Sequence, residues 1–186
     1  MPATLDDPKG SRALDLLMPL LYFYSQDEAP LPHITFIEGG AMPEPQRHLL
    51  VHASDMTPRL REFHASPITL DVKQAQLAPE YVMREVVLHR ASDGAPVEYG
   101  AIGIQLEHLP PHLRELVRAG QQPLGGILES ESVPHCSAPR AYFCVKADEH
   151  IGQLLGAPPD SLLYGRCNAL TYPDGTVFAD IVEILP

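Results

Sequence analysis

Two ionisable residues of this chain stand where an extended pattern would bury them. In YVMREVVL, Tyr81 to Leu88, alternation of side chains along a strand places Val82, Arg84, Val86 and Leu88 on one face, so a guanidinium sits among aliphatic neighbours. The closing stretch GTVFADIVEILP does the same for Val177, Ala179, Ile181 and Glu183, ending an apolar row on a carboxylate. Burying either charge alone is costly. Either Arg84 and Glu183 pair with each other or reach out at an edge, or they line a dry pocket. In that pocket arginine would grip a carboxylate through two hydrogen bonds and glutamate would move a proton.

Other residues of chemical interest have less around them. His48 and His52 have the spacing of one helical face, but no glutamate base lies between them and no third ligand is evident, so a metal site is not expected. His108 and His112 share that spacing, across two prolines that disfavour a helix. The glycine pairs of IEGG and PLGGIL fit no phosphate-binding pattern, and there is no GxSxG elbow for a nucleophilic serine. Cys136, Cys144 and Cys167 form no CxxC pair and are odd in number, which predicts reduced, mostly buried thiols.

The elements that must position Arg84 and Glu183 fit one domain. A chain of 186 residues with 45% hydrophobic residues can bury a core, and its net charge of -11 opposes nucleic acid or an anionic membrane as partner. The early Asp6 and Asp7, and an apolar run broken by Asp15 and Pro19, predict neither a leader nor a membrane span, hence a cytoplasmic protein. Residues 1–45 read as a helix over Ser11 to Tyr24 and a Pro-rich segment that wraps the body, and 46–186 as the domain proper. Asp55 or Thr57 is placed to cap a short helix near Pro58. Strands are expected in PITLDVKQAQ, APEYVMREVVLHR, VEYGAIGIQL, APRAYFCVKA, LLYGRCNALTY and TVFADIVEIL, with a hairpin turn at Asp93-Gly94. Helices are expected in PPHLRELVRAG, stopped by Gly120, and in DEHIGQLLGA. This order predicts an α+β fold, an antiparallel sheet with helices packed on it.

Four segments, LLVHASDMTPRLREFH, YVMREVVL, QQPLGGIL and DIVEILP, occur in the order and at about the spacing of chorismate lyase and its relatives, which the chain resembles from about Gln46 to the end. The resemblance implies the chorismate lyase-like fold and a carbon-oxygen lyase that eliminates pyruvate from chorismate to give 4-hydroxybenzoate or a related isomer. It implies no metal and no other cofactor, a small anionic substrate as partner, and either a monomer or a homodimer. Carried over by motif, Arg84 would hold a substrate carboxylate, Met56 and Leu124 would contact substrate through their backbone, and Glu183 would transfer the proton. A two-residue shift would move that last role towards Asp180, on the opposite face of the strand. Gly126 stands where some lyases carry an arginine.

The alternative is a non-catalytic protein of the same fold that binds an aromatic acid, as effector-binding domains of bacterial transcription regulators bind small molecules. The forty N-terminal residues are too few and too acidic to be read as a helix-turn-helix. A third reading is a plain structural domain in which Arg84 and Glu183 form an internal ion pair.

Overall fold

The computed structural model of the chain describes residues 8–186, so residues 1–7 of the N-terminal segment lie outside the described residues. The expected first helix is two, α1 (Pro8–Leu16) and α2 (Met18–Gln26). Pro19 falls in the first turn of α2, where a missing N–H leaves no bond unmade, so the helix restarts there. The Pro-rich segment that follows contributes a short strand, β1 (Ile34–Ile37), before α3 (Gln46–Leu50) and α4 (Met56–His64). Three long strands come next, β2 (Ile68–Leu77), β3 (Tyr81–Arg90) and β4 (Pro96–Gln105). The β3–β4 hairpin turns at Asp93-Gly94, with Gly94 at φ 72° and the Asp93 carboxylate accepting from the Ala95 N–H at 3.1 Å. Then come α5 (Pro111–Ala119), closed by left-handed Gly120, and α6 (Leu124–Ser130). The chain ends with β5 (Cys136–Lys146), α7 (Glu149–Leu155), β6 (Leu162–Thr171) and β7 (Val177–Leu185).

The strands form one antiparallel sheet in the order β1-β5-β6-β7-β4-β3-β2, which is the expected α+β class. Hairpins account for β2-β3-β4 and β6-β7, β5 and β6 pair across the connection that holds α7, and the last strand inserts between β6 and β4. Helices cover both faces. On one, Leu20, Phe23 and Tyr24 of α2 and Ile151 and Leu155 of α7 pack on Tyr99, Ala101, Phe143, Val182 and Ile184. On the other there are two separate apolar clusters. Leu113, Val117, Ile127 and Leu128 of α5 and α6 cover Val82, Ile104 and Ala179, whereas Leu49, Leu50 and Leu60 of α3 and α4 cover Leu88 and Leu185. The sheet between those clusters is where the buried charges lie.

The three cysteines are free, with Cys136 exposed, Cys144 half-buried and Cys167 buried. No described helix is long and apolar enough to cross a membrane.

Gly165 is required by close packing in the middle of β6. A Cβ there would collide with the Phe143 ring and come within 2.5 Å of the Glu183 carbonyl oxygen. Gly165→Ala is therefore expected to destabilise the fold by at least about 1–3 kcal/mol, the usual range for overpacking, read as a lower urea midpoint with an unchanged slope.

Candidate functional site

The antiparallel register lays out the sheet between the two clusters row by row. One row runs Arg84, Ile102, Ile181, Asn168 across β3, β4, β7 and β6. The next runs Val86, Gly100, Glu183, Arg166, and beyond it Leu88 lies opposite Glu98. All these side chains point to the same face, because each row is two residues from the last. Above them stand the N-termini of α4 and α6. Asp55, Met56 and Thr57 from one, and Pro123, Leu124 and Gly125 from the other, complete a cleft of about 570 Å³ including its open mouth. Leu70, Leu170 and the two isoleucines make most of the remaining wall apolar.

Arg84, Met56, Leu124 and Glu183 thus line one cavity. Asp180 does not: it faces the other side of the sheet and bonds Arg140 at 3.0 Å. Of the two histidines spaced like ligands, His52 bonds the Leu49 carbonyl at 2.6 Å. His48 stacks loosely on Phe63.

Arg84 and Glu183 do not pair with each other. Glu183 is held by Arg166, whose Nε donates to Oε2 in a short, fully buried bond. Burial pulls the Arg166 pKa down, but the charge and hydrogen bond of Glu183 outweigh it and raise it above its ordinary value. The rest of the guanidinium donates to the carbonyls of Leu50 at 3.3 Å, His52 at 3.1 Å and Ser54 at 3.2 Å. One arginine therefore fixes the segment that delivers the start of α4 to the cavity. Burial, and then the Arg166 charge, depress His52 to about 4.

Arg84 is 2% exposed and, among the described residues, has no carboxylate partner. Its Nη1 makes a long bond of 3.4 Å to the Val117 carbonyl in the last turn of α5, and its Nε has no partner. The negative end of the α5 dipole offsets part of the charge. Burial still depresses the Arg84 pKa to about 10. Two further buried polar groups on the cavity lack partners among the described residues, Oε2 of Glu98 and Oδ1 of Asn168, whose Nδ2 donates to Ser137 at 2.8 Å. Burial, and then the neighbouring Glu183 charge, raise Glu98 well above the usual carboxylate range.

Sequence reasoning missed Arg166, Glu98 and Asn168, although the signal that flagged Arg84 was present for them. Alternation in GRCNAL puts Arg166, Asn168 and Leu170 on one face, and in VEYGAIGIQL it puts Glu98 with Gly100 and Ile102. Asp55 does sit at the N-cap position of α4, but its side chain does not cap the helix. It bonds His135 Nε2 at 2.7 Å instead, tying α4 to the segment after α6.

No protein-family model matches the sequence, and no curated protein matches it. Solved structures do match. The chain is similar to PhnF from Mycobacterium smegmatis, 14% identical with a TM-score of 0.53 over 73% of this chain and 65% of that one. It is similar to the effector domain of PhnF, 14% identical with a TM-score of 0.52 over 70% and 87% of the two chains. The chain has the fold of an effector domain. The ligand-binding domain of a GntR-family transcriptional regulator from Bordetella bronchiseptica is 17% identical with a TM-score of 0.46 over 65% of this chain and 85% of that one.

The expectation of a carbon-oxygen lyase is corrected by these findings. The fold expected from the resemblance is present, but the two of these solved structures that share it with a TM-score above 0.5 are titled as PhnF and its effector domain. The local reason is also plain, since Glu183 is committed to Arg166.

Removing one member of the buried pair should cost far more than removing both. Arg166→Leu is expected to lose about 3–5 kcal/mol by stranding Glu183, and Arg166→Leu with Glu183→Leu to recover most of it, measured by chemical denaturation. Because His52 titrates lower when folded than unfolded, its contribution is complete above about pH 6.5 and is lost as pH falls towards about 4. His52→Gln should flatten the stability profile across that window.

Proposed function

We propose that this chain is a ligand-binding domain whose cavity takes a small carboxylic acid with an apolar, preferably aromatic, body. The observation that carries this reading is Arg84, a buried guanidinium without a counter-ion, facing a cleft. Leaving such a charge uncompensated costs stability, and a bound carboxylate would supply both the missing charge and a partner for Nε. Met56 at the start of α4, and Leu124 at the start of α6, would add backbone amides, since the first N–H groups of a helix have no partner within it. Ile102, Ile181, Val86 and Leu170 would hold the apolar body. Glu183 would serve as a fixed wall of the site, its charge balanced by Arg166. The similarity of fold to a chain titled an effector domain supports the same reading.

Calorimetric titration with benzoate and with uncharged benzamide tests this directly. Benzoate is expected to bind and benzamide not. Arg84→Met should weaken benzoate by about tenfold or more, the equivalent of one charge-assisted hydrogen bond, while leaving the empty protein as stable as before or more so. A variant that unfolds, or one that binds benzoate as well as the wild type, would overturn the assignment of Arg84.

A further inference from the structure

The cavity carries more unsatisfied chemistry than a simple acid would use. Among the described residues, Arg84 Nε is a donor without an acceptor, and Glu98 Oε2 and Asn168 Oδ1 are oxygens without a donor. All three side chains are at least nine-tenths buried, at 2%, 4% and 3% exposure, and all three line the cleft. Buried polar atoms are nearly always partnered, so three orphans around one space need partners from outside the described residues. A carboxylate answers Arg84 but brings no donor hydrogen to either oxygen.

Glu98 is placed to take part. Gly100 has no side chain, and the Glu98 carboxyl leans into that space, with Oε1 3.7 Å from where a Gly100 Cβ would be. It therefore lies over the floor of the cleft, on the strand beside that of Arg84 and four residues along from it. The charged groups around it are Glu183, Arg166 and Arg84, with Asp55 at the rim paired to His135. Arg166 and Glu183 cancel each other. What is left is one cation, Arg84, and one acid, Glu98, which no side chain joins. A hydroxyl would bring a single donor hydrogen, whereas an ammonium brings three and a charge that an ionised Glu98 could meet.

We propose that the ligand is an amino carboxylate, its carboxylate on Arg84 and its ammonium on Glu98, with the free oxygen of Asn168 as a further acceptor. This rests on the carboxylate reading above and adds the second pole. With a zwitterion bound and Glu98 ionised, every charge in the cavity has an opposite, and the site as a whole is neutral. Empty, burial and the neighbouring Glu183 charge favour the protonated form of Glu98. Docking of the ammonium then displaces that proton, which leaves as H⁺ to solvent while the carboxylate remains on Glu98.

The test is calorimetric titration of the full chain with two probes of the same shape, para-methylbenzoate and para-(aminomethyl)benzoate, in buffers of different ionisation enthalpy. The amino probe is expected to bind at least about tenfold more tightly, as a well-formed buried charge pair allows, and to release a proton that shows as buffer-dependent heat. Glu98→Gln should remove both the preference and the proton release. If the methyl probe binds and the amino probe binds no better, the second pole is wrong and the acid-binding reading stands. If neither probe binds, that reading itself fails and takes this one with it. The comparison of probes on the wild type decides the matter even where Glu98→Gln does not fold.

Discussion

The site depends on Arg166 being wholly buried at the middle of the sheet. A guanidinium can stay there only with its donors occupied, and this one has Glu183 across the strand and three backbone carbonyls from the segment over it. The same bonds that satisfy the charge fix residues 50–54, and those residues fix where α4 begins. The opening of the cleft is thereby set by an ion pair on its floor. Without it, the segment between α3 and α4 has little apolar surface to hold it, since Val51 and Ser54 are exposed.

Arg84 is the contrasting case, with the same residue type, a similar depth and no carboxylate. The α5 C-terminus gives partial relief only. A protein that surrounds one buried arginine with every partner and leaves its neighbour almost bare keeps the second one available. The stability given up at Arg84 supports the ligand-binding reading proposed above.

The strand that carries Arg84 was legible because alternation is a local property, independent of what the strand pairs with. The same rule placed Glu183 on an inward face and Asp180 on the other. The partners were not legible. Whether Arg84 meets Glu183 depends on strand order, and β7 lies beside β6 with β4 standing between it and β3. That arrangement comes from a long-range insertion that no turn signal announces. β1 was missed because four residues between prolines show no period, and α6 because its two glycines weaken helix propensity after Pro123. The likeness to chorismate lyases found the fold and brought four residues to one cavity, yet short motifs say nothing of the arginine that ties up the glutamate.

β3 has a second consequence in its next residue. Glu85 follows Arg84 and points through the opposite face, where it accepts from the Tyr99 hydroxyl at 2.7 Å, from Gln74 at 3.2 Å, and bonds His150 of α7 at 2.6 Å. Tyr24 of α2 stacks edge-on against that histidine and bonds Asp148 at 2.6 Å. Neighbours on an extended chain share a peptide plane and cannot be displaced separately. The backbone that carries the cleft-facing arginine is therefore also the anchor of the helical layer behind the sheet, and a tug on one side is a load on the other.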